Sequence, residues 1–169
     1  MKTVYLALGT NLGDREQALQ SAINNLHTAD LRIKRLSPVY ETSPQELISQ
    51  PWFLNMVLEA ETSLLPIRLL GRVMNVERKM GRKRLVAKGP RVIDIDILFH
   101  GSAVVNTHHL TIPHPGIASR RFVLEPLAEL VPDMRHPTNQ RTIRELLLGT
   151  AGQIVKKSAF RPEIPIDNP

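Results

Sequence analysis

The stretch Gly89-Pro90-Arg91-Val92-Ile93-Asp94-Ile95-Asp96-Ile97-Leu98-Phe99 reads as a buried β-strand entered from a glycine-proline loop. Side chains alternate along a strand, so Asp94 and Asp96 share one face, with Cα atoms ~6.6 Å apart. Val92, Ile93, Ile95, Ile97 and Leu98 surround them with apolar surface. Two like charges on such a strand are costly unless a cation or several donors sit between them. Hard oxygen ligands suit Mg²⁺. A lone Asp-x-Asp is more often a strand end facing water. The segment just before it shifts that balance: Arg82, Lys83, Arg84, Lys88 and Arg91 follow Gly81 and flank Gly89-Pro90. A cationic loop beside paired carboxylates suits a polyphosphate with its metal, because arginine forks neutralise oxygens that the cation bridges. Such a loop is expected to close over its polyphosphate ligand.

Upstream, Leu65-Pro66 opens a helix that carries Leu69, Leu70, Val73 and Val76 up to Gly81. Before it, Phe53 to Ala60 alternates as a strand, with Leu54, Met56 and Leu58 on one face and Phe53, Asn55 and Val57 on the other. Leu31 to Leu36 is a further strand. Ala18, Leu19, Ala22, Ile23 and Leu26 recur at helical spacing behind Asp14, which suits an N-cap. Thr3 to Leu8 is the first strand and Gly9 to Asp14 a turn. Downstream come a short strand near Ala103 to Val105 and helices over Phe122 to Leu130 and Thr142 to Leu148. The order β-α-β-β-α-β with C-terminal additions predicts an α+β, ferredoxin-like fold, an antiparallel sheet with helices packed on one face. One domain is expected over 1–159, with 160–169, rich in proline, as a loose tail.

The chain has 169 residues and suits one domain. Its net charge of +6 fits an anionic substrate. It has no cysteine, which excludes disulfides and thiol chemistry. No run approaches the ~20 apolar residues of a membrane span, and a soluble, cytoplasmic protein is the expectation. There is neither a G-x-x-x-x-G-K-[ST] loop nor a G-x-G-x-x-G, which argues against P-loop and Rossmann nucleotide sites. Asn55, inside an apolar strand, needs a hydrogen-bond partner if buried, and its amide offers both donor and acceptor. Phe53 and Phe122, read alone, would be core residues.

Together these residues closely resemble the 6-hydroxymethyl-7,8-dihydropterin pyrophosphokinase family. The carriers are Leu8-Gly9-Thr10-Asn11-Leu12-Gly13, Ser37-Pro38-Val39-Tyr40-Glu41-Thr42-Ser43-Pro44, Gln50-Pro51-Trp52-Phe53-Leu54-Asn55, Gly89-Pro90-Arg91-Val92-Ile93-Asp94-Ile95-Asp96, and Thr111-Ile112-Pro113-His114 with Arg120-Arg121-Phe122. Gly-Pro-Arg-x-x-Asp-x-Asp is the most specific. The resemblance implies transfer of the β and γ phosphates of ATP together to the pterin hydroxymethyl group, with release of AMP, in folate biosynthesis. It implies two Mg²⁺ ions on Asp94 and Asp96, and Arg82 and Arg91 as catalytic residues. Arg84, Lys88, His114, Arg120 and Thr111 would bind ATP. Thr42, Pro44, Phe53, Asn55 and Phe122 would bind the pterin, the two rings as an aromatic sandwich. Partners would be ATP and a hydroxymethyl dihydropterin, with no nucleic acid, membrane or obligate protein partner. Lys88 stands where many relatives carry Trp, and Pro115 where an aromatic often follows the His. Two rival readings are an RNA-binding module, against which stand the sparse aromatics, and a nucleotidyl transferase, which would release pyrophosphate.

Overall fold

The computed structural model describes residues 1–43, 49–81 and 92–167. In chain order these form β1 (Lys2–Thr10), α1 (Arg15–Leu26), β2 (Leu31–Leu36), β3 (Tyr40–Thr42), β4 (Phe53–Thr62), α2 (Pro66–Lys79) and β5 (Asp94–His100). After these come a hairpin of β6 (Val105–Asn106) and β7 (Thr111–Ile112), a 3-10 turn (Ile117–Ser119), α3 (Arg121–Leu130), α4 (Ile143–Leu148) and β8 (Val155–Lys157). Local chemistry accounts for the helix ends. The Asp14 carboxylate accepts from the Gln17 N–H at 3.1 Å and caps α1. Pro66 starts α2, where its missing N–H costs nothing, and Gly81 at φ +79° ends the segment, its N–H donating to the Arg78 carbonyl.

The main sheet runs β5-β1-β4-β3-β8, with β2 also on β4, and the pairings are antiparallel. Alternation along β1 and β4 sends Leu6, Leu8, Leu54, Met56 and Leu58 to the face under α1 and α2. There they join Leu19, Ile23, Leu69 and Val73 in the larger core cluster. Each such side chain contributes roughly 1.5–3 kcal/mol by leaving water.

The structure differs from the sequence expectation in four places. Helices cover both faces: α3 and α4 lie over Tyr5, Val57, Leu98 and Phe99, a second apolar cluster that would otherwise meet water. A register shift between Tyr5/Leu6 and Phe99/Ile97 leaves Leu98 without a β1 partner, so Leu98 and Phe99 both join this cluster. The first strand runs to Thr10 rather than stopping at Leu8, because Gly9 pairs with both Asn55 and Asp94. The short strand expected at Ala103 to Val105 lies at Val105–Asn106 and pairs with β7 outside the main sheet. The tail expected to be loose is docked along α1 as far as residue 167. Phe160 and Ile164 pack on the core, Gln20 and Glu163 exchange two hydrogen bonds, and His27 meets the Asp167 carboxylate at 2.7 Å.

Candidate active site

The cross-strand register collects the site. Tyr40, Asn55, Gly9 and Asp94 form one row across β3, β4, β1 and β5, and Val57, Ala7 and Asp96 form the next. Thr42 pairs with Phe53 at the outer end. Cross-strand partners point to the same face, so all of these lie on the α3 side of the sheet. A cavity opens there, lined by Ala7, Leu8, Gly9, Thr42, Ser43, Gln50, Phe53, Asn55, Met56, Asp94, Asp96, Arg120, Phe122 and Val123. Its floor is β1, which contributes Ala7, Leu8 and Gly9, the last with no side chain. Aspartates stand on one side of that floor, and Asn55 with Phe53 on the other.

Each polar side chain is held. Asn55 is 8% exposed, and its Nδ2 donates to the Thr42 hydroxyl oxygen at 2.6 Å. One amide hydrogen and Oδ1 remain for a ligand edge. The loop before β4 is fastened by the buried Asn11, whose Nδ2 donates to Gln50 Oε1 at 2.8 Å and to the Pro51 carbonyl at 2.9 Å. The loop after β7 is tied to β5 by the His114 N–H, which donates to the Leu98 carbonyl at 3.1 Å. The Gly116 N–H donates to His114 Nδ1 at 3.0 Å. A neutral ring accepting at Nδ1 carries its proton on Nε2, and that nitrogen lies 3.9 Å from Asp96 Oδ2. His114 therefore presents a donor to the carboxylate side of the cavity. Arg120 lies over Gly116, where an added Cβ would come 2.7 Å from its Nε, and its guanidinium carbon is 5.8 Å from the Phe122 ring centre.

Seven of the residues expected from the sequence thus line one cavity: Thr42, Phe53, Asn55, Asp94, Asp96, Arg120 and Phe122. His114 adjoins it through Asp96. Thr111 is exposed on β7 and is not among the lining residues. Pro44, Arg82, Arg84, Lys88 and Arg91 lie outside the described residues. Sequence reading missed Ala7 and Gly9, and also Leu8, Ser43, Gln50, Met56 and Val123. The signal for the first two was there: a glycine and an alanine interrupt an otherwise bulky strand, which marks a close approach.

Among the described residues no group of three or more His, Asp or Glu side chains makes a complete metal cage. Two carboxylates on one face still fit Mg²⁺, which keeps waters and completes its shell with substrate phosphate oxygens.

The family model for 7,8-dihydro-6-hydroxymethylpterin-pyrophosphokinase matches residues 5–132. The chain belongs to this family. A 2-amino-4-hydroxy-6-hydroxymethyldihydropteridine pyrophosphokinase of Aquifex aeolicus is 43% identical over 86% of this chain and 90% of its own length. The Bacillus subtilis pyrophosphokinase of the same name is 44% identical over 75% of this chain and 76% of its own. The folic acid synthesis protein fol1 of Schizosaccharomyces pombe is 42% identical, and there the chain spans 20% of the relative's length. A Plasmodium falciparum HPPK-DHPS structure with pteroate superposes with a TM-score of 0.73 at 18% identity, covering 88% of this chain and 42% of that one. That likeness shows the shared fold. The matched span of the pyrophosphokinase family holds every cavity-lining residue. No helix among the described residues is long and apolar enough to cross a membrane.

Proposed function

We propose that this chain transfers the β- and γ-phosphates of ATP, as one pyrophosphoryl group, to the hydroxymethyl oxygen of 6-hydroxymethyl-7,8-dihydropterin, releasing AMP, as a step of folate biosynthesis. The observation that carries the reading is the row Asn55–Gly9–Asp94. A hydrogen-bonding edge and a carboxylate pair face the same cavity from strands two spacings apart, about 10 Å. Only Ala7 and Gly9 lie between them. A flat bicyclic ring fits on that floor, with its polar edge at Asn55 and its hydroxymethyl arm toward Asp94 and Asp96.

In the reaction a bond forms between the hydroxymethyl oxygen and the β-phosphorus. The bond from that phosphorus to the oxygen bridging to the α-phosphate breaks, AMP departs with its electron pair, and the hydroxyl proton passes to water. Positioning and neutralisation of phosphate charge supply most of the rate. Asn55 and Thr42 hold the ring edge, while Phe53 and Phe122 stack on the ring; Pro44 is assigned to the pterin by the family motif alone. Asp94 and Asp96 would hold Mg²⁺, two ions in this reading, which would supply neutralisation of phosphate charge. Arg120 and His114 offer donors to the phosphates from the α3 side. Arg82, Arg84, Lys88, Arg91 and Thr111 are assigned to ATP by the family motifs, Arg82 and Arg91 as the catalytic pair. The β5-β1-β4-β2 order supports a ferredoxin-like description of the sheet, within one domain on which residues 160–167 also pack. A cytoplasmic location belongs to the same reading.

The test is product identity. With ATP, Mg²⁺ and the hydroxymethyl dihydropterin, AMP should appear in equal amount to pterin consumed. Release of ADP or of free pyrophosphate overturns the proposal, the latter in favour of nucleotidyl transfer.

A further inference from the structure

Gly9 is a glycine without a backbone reason. It lies inside β1, paired on both sides, and is not among the glycines with positive φ, which are Gly13, Gly81 and Gly101. A glycine in a strand interior weakens the strand. What the position does require is space. A Cβ built at Gly9 would lie 2.6 Å from Asn55 Oδ1, inside any tolerable contact, and 3.8 Å from both Asn55 Cγ and Phe53 Cδ1. No backbone atom crowds it. The clash therefore falls on one group, the buried carboxamide whose Nδ2 donates to Thr42.

We propose that Gly9 is a positioning residue for recognition of the ring edge: its missing side chain is the seat in which the Asn55 carboxamide lies flat against β1 and keeps its bond to Thr42. This rests on the reading of the cavity as the pterin site. Seated in this way, Asn55 offers Oδ1 and one amide hydrogen side by side, the pattern that pairs with an adjacent donor and acceptor on a heterocycle edge. A methyl at position 9 turns the carboxamide off Thr42 and removes that pattern, while leaving the strand and the aspartates in place.

The experiment has two arms. In the first, the Asn55 side-chain amide resonances of the ligand-free protein are followed by NMR, assigned with Asn55→Ala. Gly9→Ala should move them and speed their exchange with water. Gly71→Ala, at a position with nothing within 4 Å of the added methyl, should leave them unmoved. In the second arm, calorimetric titration with 6-hydroxymethyl-7,8-dihydropterin should show about tenfold or greater weakening in Gly9→Ala. The same change in an Asn55→Ala background should cost nothing further, and affinity for a nonhydrolysable ATP analogue with Mg²⁺ should hold. Additive losses, or wild-type pterin affinity in Gly9→Ala, overturn the proposal. If the wild-type protein does not bind the pterin, the site reading falls, and the resonances alone decide: unmoved in Gly9→Ala, they overturn the seat. Should Gly9→Ala fail to fold, the double variant with Asn55→Ala should fold, since it removes the clash. A double variant that stays unfolded contradicts the proposal.

Discussion

On one face of the sheet, Leu6, Leu8, Leu54, Met56 and Leu58 lie beneath α1 and α2 with no more than 2% exposure. On the other, the same two strands present Ala7, Gly9, Phe53 and Asn55 to a cavity. The backbone is shared, and the two sides differ only in which parity of residue points where. The first face uses branched and long apolar side chains that fill space and exclude water. The second uses small residues along the cavity floor, and a polar one, Asn55, whose partner Thr42 comes from the neighbouring strand. Farther along β1 and β4, Tyr5 and Val57 on that second face return to ordinary packing under α3. The cavity is a region of the sheet where side chains are absent or polar, set in one that is otherwise core.

This contrast can be broken at several points. The largest effect belongs to the carboxylates. Asp96→Asn keeps shape and removes a charge from the pair proposed to hold Mg²⁺, so Mg²⁺-dependent turnover should fall by roughly a thousandfold or more. The unfolding midpoint should hold or rise, because like-charge repulsion is relieved. Near-normal turnover at low Mg²⁺ would remove Asp96 from the assignment. Next comes Phe122→Ala, which should weaken pterin binding by about one to two orders of magnitude, as loss of a stacking surface, and leave ATP-analogue binding nearly unchanged. Equal weakening of both ligands would make Phe122 a packing residue.

The smallest effect is electrostatic. Burial, and then the hydrogen bond from its hydroxyl to Glu59 Oε2 at 2.8 Å, push the Tyr5 phenol from 10.0 to about 12. A pKa raised on folding gives stability that is complete below the unfolded value and is lost as pH rises through the folded one. Unfolding free energy should therefore decline between pH 10 and about 12, and Tyr5→Phe should flatten that limb. An identical alkaline limb in the variant would show that Tyr5 does not contribute to it.

Much of this was legible before the fold was known. The alternation in Phe53 to Ala60 sorted the two faces correctly, since Leu54, Met56 and Leu58 are core and Asn55 faces the cavity. Asp14 and Gly81 marked helix ends because capping chemistry is local. What escaped depends on contacts distant in sequence. β8 is three residues with two lysines and becomes a strand only by pairing with β3. Phe160 and Ile164 are isolated apolar residues among prolines, so nothing local shows that they dock beside α1. The cover of the second face by α3 and α4 follows from Tyr5, Leu98 and Phe99 lying together, which only the β1–β5 register reveals. Gly9 looked like part of a turn because glycine usually signals one. Its strand role appears once Asn55 and Asp94 are seen on either side.

The most direct test of the contrast compares two variants three residues apart on β4, Leu58→Ala and Asn55→Ala, measuring unfolding free energy and pterin affinity on the same samples. Leu58→Ala should cost about 2–5 kcal/mol of stability and leave pterin affinity close to wild type. Asn55→Ala should cost less than about 1.5 kcal/mol of stability and weaken pterin binding by roughly ten- to a hundredfold. An Asn55→Ala protein that is destabilised like Leu58→Ala yet binds the pterin normally would contradict the account, because it would make Asn55 part of the core.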